Sequence, residues 1–176
     1  MAVPASADYE AGVAAYKRGD YETAFREWMP LAEEGHTKAE NGIGVLYGKG
    51  QGRPQDFEEA LKWYSRSAEG GYDSAMHNMG LLYQNGQGVE QDYAEAAKWF
   101  RMSAEKGHAQ AQGRLAGLYA RGLGVEQDFA EAYKWLLIAQ RNGENVTFDL
   151  EQIGPQLTPE ERARAEKEAA AWEVEE

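Results

Sequence analysis

Three histidines, a lysine in a glycine-rich loop and a recurring acidic pair are the residues of this chain whose types and spacing bear on chemistry. His36 and His108 occupy the same point of a pattern that recurs every 36 residues, and they stand two units apart. Metal ligation needs donors within about 2 Å of one ion, and residues two units apart in a repetitive chain do not meet that demand. His77 stands alone on its helix. The three histidines are therefore expected to be solvated or groove-lining, with no metal or catalytic role. Gly48-Lys49-Gly50-Gln51-Gly52 has the look of a phosphate cradle. A P-loop, however, follows a strand and leads a lysine-serine or lysine-threonine pair into a helix. Neither feature is present, and the equivalent loops NGQGVEQ and RGLGVEQ lack the lysine. Asp56, Asp92 and Asp128 each precede a glutamate by three residues, Glu59, Glu95 and Glu131. That spacing reads as a capping box, the aspartate taking an orphan N–H of the first helical turn. Arg18-Gly19-Asp20 spells an adhesion motif but is accounted for as a turn and a cap. No serine sits in a nucleophile elbow and no His-Glu-x-x-His occurs. The expectation is a non-enzyme with no cofactor.

The elements that must position these residues are helices in a strict frame. A closing glycine falls at Gly35, Gly71, Gly107 and Gly143, a tyrosine at Tyr47, Tyr83 and Tyr119, and a tryptophan at Trp63, Trp99 and Trp135. A fixed period of this size is the mark of a stacked-repeat architecture. Residues 8–35 read as a tight helical hairpin turning at Gly19, with Pro30 predicting a bend or early stop near Trp28. Three regular units follow, 36–71, 72–107 and 108–143. Each opens with a helix whose apolar residues fall at helical spacing, as with Ala75, Met79, Leu82 and Tyr83. Gly44, Gly80 and Ala116 lie mid-helix, where glycine costs about 1 kcal/mol relative to alanine. Close approach of the partner helix is the compensating gain. Residues 144–176 form a closing segment: a short helix over 146–153, a break at Gly154-Pro155, and a helix over 158–172 started by Thr158-Pro159-Glu160-Glu161. Ala165, Ala169 and Trp172 are its apolar edge. Asn145-Val146-Thr147 matches a glycosylation acceptor of a kind that often occurs by chance.

Composition narrows the function classes. Hydrophobic residues make up 43% and charged residues 27% of 176, which places the chain among folded proteins rather than disordered ones. A formal net charge of −12 provides no basic footprint for nucleic acid. No apolar run approaches the roughly 20 residues of a transmembrane helix. The absence of cysteine removes disulfides and thiolate chemistry. Residues 1–7 are a tail in which Ala5-Ser6-Ala7 fits the small-x-small pattern before a signal-peptidase cut, without the charged and apolar regions of an intact leader. An ordinary N-terminus rich in small residues is the alternative reading.

The units resemble the Sel-1-like repeat, a longer-looped branch of the tetratricopeptide family. The middle unit carries the resemblance through Ala75, Met79-Gly80, Tyr83, Gly86-Gln87-Gly88-Val89, Asp92, Ala96, Trp99, Ala104 and Gly107. The third regular unit matches through Leu115-Ala116, Tyr119 and Gly122-Leu123-Gly124-Val125, whereas the first departs where Arg53-Pro54 replaces the valine. The resemblance implies an all-α fold, a right-handed α/α superhelical solenoid of helix-turn-helix repeats with first helices lining a concave side. It also implies an adaptor that binds a protein or peptide. Many bacterial relatives are exported, which favours a periplasmic or secreted location over a cytoplasmic one. Cysteine-rich relatives linked to cell-wall-type ligands and β-lactams do not lend that activity to a chain without cysteine.

On this reading the functional surface is the concave groove, and the residues that should project into it lie off the apolar stripe of the first helices. They are Tyr9, Val13, Asn41, Val45, His77, Asn78, Leu81, Arg114 and Gly117, rimmed by Lys49, Gln84 and Arg121. Asparagine and arginine in such a groove can hold a peptide backbone or carboxylate. The carboxylate-clamp pattern of the wider family is incomplete, because Tyr9 and Val13 stand where a lysine and an asparagine would be wanted. Recognition of a cell-wall or exopolysaccharide fragment, with tyrosines and amides against sugar, is the alternative from another class. Hydrolysis is the third.

Overall fold

A computed structural model describes residues 7–174. Within them the chain is helical: α1 (Tyr9–Lys17), α2 (Tyr21–Glu33), α3 (Thr37–Lys49), α4 (Phe57–Glu69), α5 (Asp73–Asn85), α6 (Tyr93–Glu105), α7 (Ala109–Arg121), α8 (Phe129–Arg141), α9 (Thr147–Ile153) and α10 (Pro159–Ala171). A single 3₁₀ turn, Gly154–Gln156, separates the last two, and no strand occurs among the described residues. The possible cleavage pattern at Ala5-Ser6-Ala7 lies outside the described residues except for Ala7. The contacts divide the chain into two compact units, residues 7–75 with Gln87–Val89, and Met76–Gly86 with residues 90–174.

Local chemistry explains where the helices start and stop. Asp56, Asp92 and Asp128 each accept two backbone N–H bonds of the following turn, at 2.8–3.0 Å. The second half of the expected capping box does not form. The N–H of each aspartate is already donated to a tyrosine carbonyl at the end of the preceding helix, Tyr47, Tyr83 or Tyr119, at 3.0–3.1 Å. Released from that duty, Glu59, Glu95 and Glu131 pair with Lys62, Lys98 and Lys134 one turn on. The reciprocal box does form at Thr158 and Glu161. Gln55, Gln91 and Gln127 brace the other side of each loop, donating to the carbonyls of Gly48, Gln84 and Ala120 at 2.8–2.9 Å. The glycine-rich loop is thus tied down at two points, which fits it for spacing helices.

Pro30 does not end α2, which runs on to Glu33. Proline removes one donor, but Ala32 beyond it is fully buried and its carbonyl accepts from Arg66 at 2.8 Å. The helix then closes through bonds from Gly35 to Ala32 and from His36 to Leu31. Gly19, at φ +80°, turns the first hairpin, and the Asp20 side chain caps α2 through Thr23 N at 3.1 Å.

In the first unit α1 packs on α2, α2 on α3 and α3 on α4. Trp28, 5% exposed, fills the centre, and a Cβ on Gly12 or Gly42 would stand 2.3 or 2.7 Å from its ring. In the second unit α6 packs on α7, α7 on α8, and α9 and α10 on α8. Phe100 is fully buried opposite Gly80, whose Cβ would stand 2.5 Å from the ring. One rule joins these sites. Trp28, Tyr64, Phe100 and Leu136 recur at the period of 36, and each aromatic faces glycine: Gly42, Gly44 and Gly80. Where the large residue shrinks to Leu136, Ala116 packs in the same cluster. The mid-helix glycines therefore trade helix propensity for contact with a ring. At the C-terminal end Ala165 and Ala169 are buried, Arg141 donates to the carbonyls of Ala169 and Trp172 at 3.0 and 2.8 Å, and the Trp172 ring meets Trp135 edge-on.

Candidate functional site

All the predicted groove residues except Asn78 and Gln84 fall into two open concavities, one in each unit. In the first unit Tyr9, Val13, Asn41, Val45 and Lys49 line a hollow of about 300 Å³. Tyr16, Lys17, Trp28, Lys38 and Gly42 complete it. Its floor is aromatic: Tyr9 stacks on Trp28 at 6.1 Å between ring centroids, Tyr16 lies 5.8 Å from Trp28, and the Trp28 indole N–H donates to the Tyr9 carbonyl at 3.1 Å. Lys49 Nζ donates to the Tyr16 hydroxyl at 3.3 Å. The Tyr9 hydroxyl is pushed above its ordinary pKa, first by burial and then by Tyr72 and Glu10.

In the second unit His77, Leu81, Arg114, Gly117 and Arg121 line a larger hollow, about 520 Å³. Its opposite wall comes from the segment after α8, through Glu144, Asn145, Asp149 and Gln152, with Gln110 at one end. Arg121 bonds back to the Gly117 carbonyl through Nε, at 2.9 Å. The result is a half-polar trough with two guanidinium groups on α7 and two carboxylates on or near α9. Neither hollow contains a serine, threonine or cysteine.

His77 does not stand alone. It is 8% exposed, and its ring stacks on His108 with centroids 4.7 Å apart and planes 20° apart, while Phe100 lies 5.7 Å away. Burial, then the neighbouring charges of His108 and Arg114, depress its pKa to about 4, against a weaker upward pull from a side-chain hydrogen bond with Asn78. Its Nε2 is buried with no hydrogen-bond partner. His77 is thus a neutral packing residue at the base of the trough. His36 and His108 are helix caps, their Nδ1 atoms accepting from Ala39 and Ala111 N–H at 3.2 Å. His36 is exposed and His108 half-buried, so the cap is a role added to the expected solvated one. Asn78 and Gln84 line neither hollow; Asn78 is engaged with His77, and the Gln84 carbonyl receives Gln91. No group of three or more His, Cys, Asp or Glu able to hold a metal occurs among the described residues.

Sequence reasoning missed Lys38 and Gln110, although they share one frame position and begin the lining stripe one turn before Asn41 and Arg114. Helical spacing was the available signal. It also missed the wall at 144–153, where the frame is lost and no spacing could point.

A family model described as the Sel1 repeat matches residues 37–72, 73–108 and 109–143, more than half of the chain. The chain belongs to the Sel1 repeat family. Among solved structures, a Sel1 repeat protein from Oxalobacter formigenes is 31% identical, with a TM-score of 0.79, over 93% of this chain and 70% of that one. The protein c5321, described as a protective antigen of uropathogenic Escherichia coli with an SLR fold, is 26% identical with a TM-score of 0.56, over 93% of this chain and 44% of that one. Comparison with curated proteins finds no match. The fold is accordingly an all-helical Sel1 repeat solenoid. Sel1 repeat proteins generally mediate protein–protein interaction and are generally scaffolds without catalysis. No described helix is long and apolar enough to cross a membrane.

Proposed function

We propose that this Sel1 repeat protein is a non-catalytic scaffold that holds a peptide or protein segment in the hollows formed by its first helices. The supporting observation is the trough of the second unit: about 520 Å³, open to solvent, with guanidinium, carboxylate and amide side chains on facing walls. Peptide backbones offer donors and acceptors in alternation, and a wall of this mixed kind can satisfy both. The invariant frame residues are consumed in caps, braces and ring contacts, whereas the Arg114, Glu144 and Asp149 side chains line the trough. The proposed setting is the periplasm or another exported location.

Panning a random peptide display library against the full chain tests the reading. Enriched peptides are expected to bind at least tenfold more weakly to the double variant Arg114→Ala/Asp149→Ala, a loss of about 1.4 kcal/mol, with the circular dichroism spectrum unchanged. Peptides that bind the variant as tightly as the parent would remove the trough from the function. Saturable binding of a cell-wall glycan in place of any peptide would transfer the function to carbohydrate recognition.

A further inference from the structure

The hollow of the first unit carries a charge pattern opposite to that of the whole molecule. The chain has a formal net charge of −12, and residues 7–75 contain thirteen acidic side chains against eight basic ones. Yet three of the four lysines in that stretch, Lys17, Lys38 and Lys49, line one hollow, and no carboxylate lines it. Among the described residues none of the three forms an ion pair, while the fourth, Lys62, is held by Glu59 at 2.5 Å. Tyr9, Tyr16 and Trp28 line the same hollow.

We propose that this hollow binds an acidic side chain flanked by an apolar one in an extended peptide segment, the carboxylate meeting the lysines and the apolar group lying on the Trp28–tyrosine floor. The inference rests on the peptide-binding reading above and names its chemistry for this unit. About 300 Å³ is the small end of ligand pockets, room for one or two side chains and not for a folded surface. Selectivity follows from the surrounding field. Beyond roughly 8 Å at physiological salt the acidic exterior is screened, so the local lysines dominate inside the hollow, while unstructured polyanions are repelled at longer range in low salt. A neutral peptide would satisfy the floor and leave three ammonium groups unpaired; a basic one would add like charge.

The test uses the full chain, isothermal titration calorimetry and unlabelled hexapeptides that alternate glutamate with leucine or phenylalanine, acetylated and amidated so that no terminal charge remains. Glutamine and lysine analogues serve as comparisons. The acidic probe is expected to bind at least tenfold more tightly than the glutamine analogue and to shift the Trp28 indole N–H resonance. The triple variant Lys17→Gln/Lys38→Gln/Lys49→Gln is expected to lose at least tenfold, while Lys62→Gln, with a single-charge change outside the hollow, stays within twofold. Equal affinity for the acidic and glutamine probes, or an unaffected triple variant, refutes the charge assignment and leaves peptide binding standing. Binding only by a probe with a free C-terminus refutes the side-chain assignment in favour of a terminal carboxylate. No saturable binding of any probe up to about 1 mM, the level of a 4 kcal/mol interaction, while displayed peptides still depend on Arg114, refutes this hollow as a site without touching the trough of the second unit.

Discussion

Acid should destabilise this protein through His77. The folded-state pKa is about 4 against an ordinary 6.5, so the unfolded chain takes up the proton first as pH falls. Stability from this group is therefore intact above about pH 7, declines from about 6.5 downward, and levels off below about 4. The gap corresponds to about 3 kcal/mol at the plateau, of which about 2 is lost by pH 5. The cause is visible in the packing. A charged imidazole carries an N–H on both nitrogens, and Nε2 is buried with no acceptor, beside a stacked His108 ring and near Arg114. Urea unfolding of the parent and of His77→Gln at pH 7.5 and pH 5 isolates the effect, because the carboxylates shared by both proteins cancel in the difference. The parent should lose about 2 kcal/mol more than the variant over that interval. Since repeat arrays can unfold in segments, amide exchange in α7 should show the same difference locally. A stability difference that does not move with pH, or a His77 ring proton titrating near 6.5, would refute the reasoning.

Three further substitutions test the frame. Gly80→Ala should cost about 1–3 kcal/mol by forcing a methyl into the Phe100 ring, and adding Phe100→Leu should recover part of it, because Ala116 and Leu136 already coexist in that arrangement; thermal unfolding of the single and double variants decides. Glu40 is 3% exposed and pairs with Arg66 at 3.0 Å. Arg66→Met should therefore destabilise by about 2–3 kcal/mol by stranding a buried charge, whereas Glu40→Met/Arg66→Met should approach the parent, since Met76 and Met102 occupy these frame positions in the next repeat. Asp92→Ala should cost about 1 kcal/mol through two lost cap bonds, and in urea unfolding at pH 7 the loss should exceed that of Glu95→Ala, whose side chain forms an exposed pair with Lys98.

The fold was legible because its determinants are side chains in a fixed register. Glycine at helix ends, aspartate at helix starts and small residues mid-helix each have one physical reading, and three copies in phase leave few alternatives. What escaped was written in the backbone or beyond the frame. A tyrosine carbonyl taking the N–H of the capping aspartate has no side-chain signature, so sequence spacing alone assigns the glutamates to the caps. The His77–His108 stack joins residues at different frame positions of successive units, 31 residues apart in sequence, a separation that no single-helix period encodes. The trough's acidic wall follows Gly143, where the repeat has ended.

These two kinds of legibility separate structure from recognition along the same helices. Positions that repeat without change are those the fold has fully engaged, and they are therefore poor places to seek a ligand. Positions 38, 74 and 110 hold lysine, serine and glutamine, and positions 42, 78 and 114 hold glycine, asparagine and arginine; the first and last of each trio line the hollows. Yet variation alone was not a sufficient guide. His77 also breaks the frame, but burial turned it into packing, and half-buried Asn78 is engaged with it. The discriminating property is variation on a wall that stays open, which lysines satisfy in the first unit and a guanidinium–carboxylate pair of walls satisfies in the second. Two hollows with such different charge should not prefer the same sequence, so a peptide selected on one should carry substitutions that abolish its binding to the other.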